Sequence, residues 1–364
     1  MRAFAVFMMV QGHTIDALLA PQYRNDIYPL YASWNFMRGL TAPIFMFSAG
    51  VVFTYLFHLN KKPFAENPRV KKGIKRFFLL VFIGYMLRYP TASFVYFGNV
   101  TPEQWATFFT VDVLHLIGFS LLFIIGLSYI SDKFKINDRI LFPVVAGSIF
   151  LLYPVFAQIP WPDFLPVFLA NYFYHGSGSF FPLVPWTGFV IAGGALGSYL
   201  AEHNGAYKSK EFMLKLAGIG VIFIMIAALG DMLETAIYGE SFFWTTSPNL
   251  LIFRLGLVLM LNAFVAYLAI RISKIPELFV QAGRYSLTIY VVHLVLLFGS
   301  AWSIGITYFI GSALNPWLAV LGALVMLGIM GGMVYLLMNN KNKFKELPAT
   351  IIEFLKLRKQ DEKI

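Results

Sequence analysis

The chain has 364 residues, of which 59% are hydrophobic and 13% charged, with a formal net charge of +10. That balance excludes an ordinary soluble domain and a disordered chain. Cysteine is absent, which excludes disulfides and thiolate chemistry.

Taken in order, the apolar runs predict an all-α, polytopic membrane helix bundle of about ten transmembrane helices. They lie near 2–20, 36–59, 74–95, 111–131, 140–158, 181–201, 212–237, 249–272, 283–303 and 314–339. The first run starts almost at Met1, lacks a small-residue cleavage site, and predicts its own signal anchor. The stretch from Trp161 to Gly178 is broken by Pro162, Pro166, Gly176 and Gly178, and predicts a re-entrant or interfacial loop. Residues 1–340 make one transmembrane domain. Residues 341–364 make a basic amphipathic tail, expected on the anionic cytoplasmic leaflet and given no chemistry. No internal repeat of the transporter kind is visible.

Basic residues set the orientation. Those from Lys61 to Arg76, Lys133 to Arg139, Lys208 to Lys215, Arg271 to Arg284 and Lys341 to Lys363, with Arg2, all fall on one side of a ten-span arrangement. That side is expected to be the cytoplasm, with both termini in it. The net charge is thereby explained, and no nucleic-acid partner is implied. Of the 28 basic residues, Arg24, Arg38, Arg88 and Arg254 remain on the other side. Asp16, Asp112 and Asp231 are expected at similar depth. Such a set inside an apolar bundle predicts a polar cavity open to the outside; structural ion pairs at helix ends are the plainer alternative.

Several segments carry candidate chemistry. Arg2 and His13 bracket ten residues of the first helix, in RAFAVFMMVQGH. About three turns separate them, so they share a face roughly 16 Å apart. His13 is the candidate general base, and Asp16 at i+3 orients it or simply faces the outer water. In YASWN (Tyr31 to Asn35), Trp34 suits the membrane interface, and Asn35 either caps the next helix or donates to an oxyanion. In VDVLHLIG, Asp112 and His115 are again i and i+3; a metal would lack a third ligand, so no metal is expected. In FPLVPWTGFVIAGGALG, Pro182 and Pro185 bend the chain into the span, and Trp186 lies at the surface or lines the cavity. Gly193, Gly194 and Gly197 allow close helix contact. In GRYSLTIYVVH, Arg284 stands at the cytoplasmic mouth, and Tyr290 and His293 are one turn apart in the membrane. A histidine near the midplane needs a partner, and His293 is expected to face the cavity.

Together these segments resemble the membrane acyltransferase family containing heparan-α-glucosaminide N-acetyltransferase. The resemblance rests on the opening Arg-to-His helix, YASWN, TAPIFMFSAG, VDVLHLIG, the FPLVPW segment and GRYSLTIYVVH. The Arg-to-His spacing also resembles the acyltransferase-3 family, which O-acylates cell-surface sugars. The family's lysosomal enzyme has asparagine at the place of His13, and a histidine at the place of Tyr31. This departure assigns the histidine role to His13 and separates the acceptor from heparan.

The resemblance implies acetyl-CoA as co-substrate from the cytoplasm and a sugar or glycan acceptor on the far side. It implies catalytic roles for His13, Asp16, Asn35 and Arg38. CoA binding falls to Arg2, Arg284, Tyr290 and His293, and acceptor binding to Trp34, Arg88, Asp112, His115, Trp186 and Arg254. The place expected is a bacterial cytoplasmic membrane, in contact with lipid. O- against N-acylation and a homodimer stay open. A secondary transporter or flippase for a small anion or lipid-linked sugar is the alternative, disfavoured by the order of the motifs.

Overall fold

The computed structural model describes residues 1–272 and 274–340. The predicted tail lies outside them. The fold is all-α. Helix α1 (Arg2–Leu18) is followed by α2 (Pro29–Gly39), α3 (Thr41–Leu59), α4 (Pro68–Leu87) and the short α5 (Pro102–Phe108). Then come α6 (Val113–Phe134), α7 (Asp138–Gln158), the one-turn α8 (Val167–Ala170), α9 (Leu183–Glu202) and α10 (Lys210–Tyr238). The chain continues through α11 (Pro248–Arg271), α12 (Glu277–Arg284), α13 (Ser286–Phe298), α14 (Ile306–Ile310) and α15 (Pro316–Asn339). A two-residue hairpin, β1 (Gly299–Ser300) with β2 (Ser303–Ile304), is the only sheet among the described residues.

Among the described residues seven helices are long and apolar enough to cross a membrane, and the pair α12–α13, bent by 79°, makes up to eight. Every predicted span falls on a helix, but a count of ten goes beyond this. Helix α1 has 17 residues, about 26 Å of rise against a hydrocarbon core of about 30 Å. Helix α4 opens with Arg69, Lys71, Lys72, Lys75 and Arg76, which dilute its apolar character. The ninth predicted span is also shortened: α13 starts only at Ser286 and gives way to the hairpin at Gly299.

The centre of the bundle is α3 against α9, flanked by α1, α6 and α7. Small residues make that contact close. A Cβ on Gly50 would stand 1.8 Å from the Val190 carbonyl oxygen, and one on Gly193 would stand 2.0 Å from that of Phe47. With little hydrophobic drive between helices in lipid, such backbone approach supplies the packing. Gly193→Ala must therefore force α3 and α9 apart, a cost of about 1–3 kcal/mol. Thermal unfolding in detergent is expected to show a clear drop for this variant and little change for Gly126→Ala, whose Cβ would meet nothing within 4 Å. Equal stability of the two would remove the close contact from the account.

The segment predicted as a re-entrant loop is irregular and folds onto the bundle. Asn171 is fully buried, with its amide donating to the Phe109 carbonyl at 2.8 Å. Tyr172 meets the Tyr85 hydroxyl at 2.9 Å.

Candidate active site

Two cavities occupy opposite ends of the same helices. The larger, about 1190 Å³, lies against the C-terminal halves of α1, α4 and α13 and the N-terminal ends of α3, α6 and α11. The smaller, about 460 Å³, lies against the start of α1, the N-terminal half of α4, the start of α13 and the inner turns of α3 and α6. Phe45 and Tyr290 line both.

The larger cavity gathers most of the residues singled out from the sequence. His13, Asp16, Asn35, Arg38, Arg88, Asp112, Trp186, Arg254 and Tyr290 all line it. The predicted polar cavity among outer arginines and aspartates is thus present, although Arg24 and Asp231 stand apart from it. Arg24 spends its guanidinium on the carbonyls of Asp16 and Leu19 at the end of α1. Asp231 accepts from Ser241 at 2.6 Å.

Helix α2 builds one wall. YASWN does not precede a helix but lies inside α2, so Asn35 is no cap. Its side chain links charges instead: Arg38 Nη1 donates to Asn35 Oδ1 at 3.0 Å, and Asn35 Nδ2 donates to Asp26 Oδ1 at 3.2 Å. Arg38 Nε pairs with Asp16 Oδ2 at 2.6 Å. Asp16 is thereby committed to Arg38 and does not hold His13. The stem of Arg38 passes Gly12, where a Cβ would meet its Cγ at 3.7 Å.

His13 finds its partner across the bundle. Its Nδ1 lies 3.0 Å from Nε2 of His293 on α13, with the rings stacked at 5.3 Å and 17°. His293 is fully buried and lines neither cavity, so it does not face the cavity as predicted. Its Nδ1 lies 2.8 Å from the Ile289 carbonyl oxygen.

Asp112 caps α6, accepting from the Leu114 amide at 2.9 Å, with His115 Nδ1 3.1 Å from its carboxylate. Arg88 Nε is 3.8 Å from Asp112 Oδ2, and the Arg88 guanidinium lies over the Phe180 ring at 5.3 Å. His115 itself sits behind Asp112, fully buried against Gly84 and outside the cavity, so it is a wall residue and not an acceptor contact. Trp34 also leaves the site. Its indole donates to Gln11 at 2.9 Å, and it packs on the small core of Ile15, Leu19, Ala319 and Ala323. Trp244, unremarked in the sequence, also lines the cavity. Arg254 projects beside Gly39 and has no hydrogen bond or ion pair among the described residues.

The smaller cavity is basic. Arg2, Arg69, Lys71, Lys72, Lys75 and Arg76 line it. Among the described residues, the buried Arg2 Nε has no hydrogen-bond partner. Arg284 is exposed at the end of α12 and lines neither cavity. The 79° bend after it turns α12 away from the α13 axis.

A multi-helix membrane bundle with a cationic cleft at one end and a histidine-bearing polar cleft at the other has the layout of an enzyme working on two substrates. The family described as heparan-α-glucosaminide N-acetyltransferase, catalytic, matches residues 1–232. That is more than half of the chain, and the chain belongs to this family. Neither the curated proteins nor the solved structures hold a match to it. The protein is an integral membrane acetyltransferase. Arg254, Arg284, Tyr290 and His293 lie beyond the matched residues.

Proposed function

We propose that the chain moves an acetyl group from acetyl-CoA in the basic cavity to a sugar or glycan acceptor in the larger one. The observation that carries this reading is the pair of cavities meeting at Phe45 and Tyr290, one lined by six cations and the other holding His13. CoA is an anionic carrier, and guanidinium and ammonium groups suit its phosphates. The basic cavity faces the cytoplasm by the positive-inside rule, which also places both termini there, in a bacterial inner membrane. The pantetheine arm then points along the bundle toward Tyr290 and the larger cavity.

His13 acts as general base on the acceptor hydroxyl or amine. Arg38, held by Asp16 and Asn35, steadies the tetrahedral oxyanion. Arg88, Asp112, Trp186 and Arg254 hold the acceptor. The test is a proteoliposome assay with radiolabelled acetyl-CoA on one side and extracted envelope glycans on the other. Label is expected on glycan only when CoA meets the face bearing Lys71 to Arg76. No transfer in either orientation, or transfer with both substrates confined to one side, would overturn the reading.

A further inference from the structure

We infer that His293 is a positioning residue that fixes His13 in one tautomer, with Nε2 unprotonated and available to substrate. The inference rests on the reading of His13 as the base. Helix α13 supplies the argument. His293 Nδ1 sits 2.8 Å from the carbonyl oxygen of Ile289, four residues back on the same helix. A carbonyl only accepts, so this nitrogen carries the hydrogen. Neutral imidazole then presents its other nitrogen, Nε2, as a lone pair. That lone pair faces His13 Nδ1 at 3.0 Å. His13 must therefore donate from Nδ1, which leaves His13 Nε2 bare.

The remaining geometry agrees. His13 lines the larger cavity and its Nε2 has no hydrogen-bond partner among the described residues, whereas His293 is sealed behind it. Asp16, the acidic residue nearest in sequence, is taken by Arg38 at 2.6 Å. The chain Ile289 carbonyl, His293, His13 thus does by neutral hydrogen bonds what a carboxylate does in other base-orienting arrangements. Because it ends on a carbonyl oxygen, it has no terminal group to take up a proton, and one proton at a time resides at His13 Nε2. In the transfer, the acceptor's O–H or N–H proton moves to Nε2 as the acceptor atom bonds the acetyl carbon. The C–S bond breaks, the thiolate leaves with the electron pair, and it takes the same proton back from Nε2. Acetyl acceptor and free CoA thiol balance the step, and His13 returns to its starting tautomer.

The test uses the full-length protein in detergent micelles with ¹⁵N-labelled histidine, read by NMR, beside acetyl-transfer kinetics. His13, assigned by its loss in His13→Gln, is expected to show a protonated Nδ1 and a bare Nε2. His293→Phe keeps an aromatic ring and removes the acceptor; the two nitrogens of His13 are then expected to average between tautomers. Its kcat should fall by about 10- to 100-fold with the CoA affinity kept. His293→Gln, whose side-chain oxygen can accept from Nδ1, should recover part of that loss. A protonated Nε2 in the parent protein, or an unchanged His13 spectrum in a folded His293→Phe, would overturn the inference. A parent protein with the expected spectrum but no transfer to any acceptor would instead overturn the acetyl-transfer reading and leave the tautomer assignment standing.

Discussion

Replacing His13 with alanine is expected to lower acetyl transfer by about 10²-fold or more while CoA binding is retained. His13 lines the larger cavity and the CoA site proposed here lies at the other end of α1, so the substitution leaves the cationic lining intact. His115→Ala is the comparison. That ring is fully buried behind Asp112, so its removal acts through stability and the α6 cap, and a folded variant should keep most of its turnover. Single-turnover rates with equilibrium CoA binding in the same preparations make the check. Near-normal turnover in His13→Ala would end its assignment as the base.

The second large effect is expected at Arg2. Its Nε is buried at the basic cavity without a partner among the described residues, a costly arrangement unless an anion completes it. Arg2→Ala should weaken CoA binding by about 1.5–3 kcal/mol, roughly 10- to 150-fold, since hydrogen bonds to charged groups are worth that much. Arg284→Ala, equally favoured by sequence, removes a side chain that lines neither cavity and should leave the affinity unchanged. Calorimetric titration of CoA into the two variants decides the matter. A loss at Arg284 with none at Arg2 would reverse the assignment.

Much of this was legible in the chain itself. The spacing of Arg2 and His13 along one helix placed one at each cavity, because an α-helix converts residue number directly into depth. The outer arginines and aspartates gave the larger cavity, since charges inside lipid converge on water. What failed was local pairing. Asp16 was matched with His13 by the i, i+3 rule, yet a residue on another helix claimed each of them: Arg38 for Asp16, and His293, 280 positions along the chain, for His13. Helical neighbours are visible in sequence; partners brought together by bundle packing are not. Two further misplacements have the same origin. Trp34 was assigned to the acceptor, but its face of α2 turns toward α1 and α15. Arg284 was assigned by position to a continuous span, and the bend between α12 and α13 carries it off. The close α3–α9 contact was announced by Gly193, Gly194 and Gly197, though not which helix would meet them.

The sharing of Phe45 and Tyr290 by both cavities has a consequence for the membrane as an insulator. A cell membrane stores an ion gradient, and any unbroken column of water through a protein discharges it. In the proposed arrangement the two clefts open to opposite faces, and that hazard lies where Phe45 and Tyr290 line both. In the proposed reaction only a two-carbon fragment changes compartments, so the seal need never open to a whole substrate. Thinning it to speed the passage of the fragment would trade catalytic rate against proton leakage. The bulk of these two side chains is therefore under a constraint set by bioenergetics as well as by chemistry.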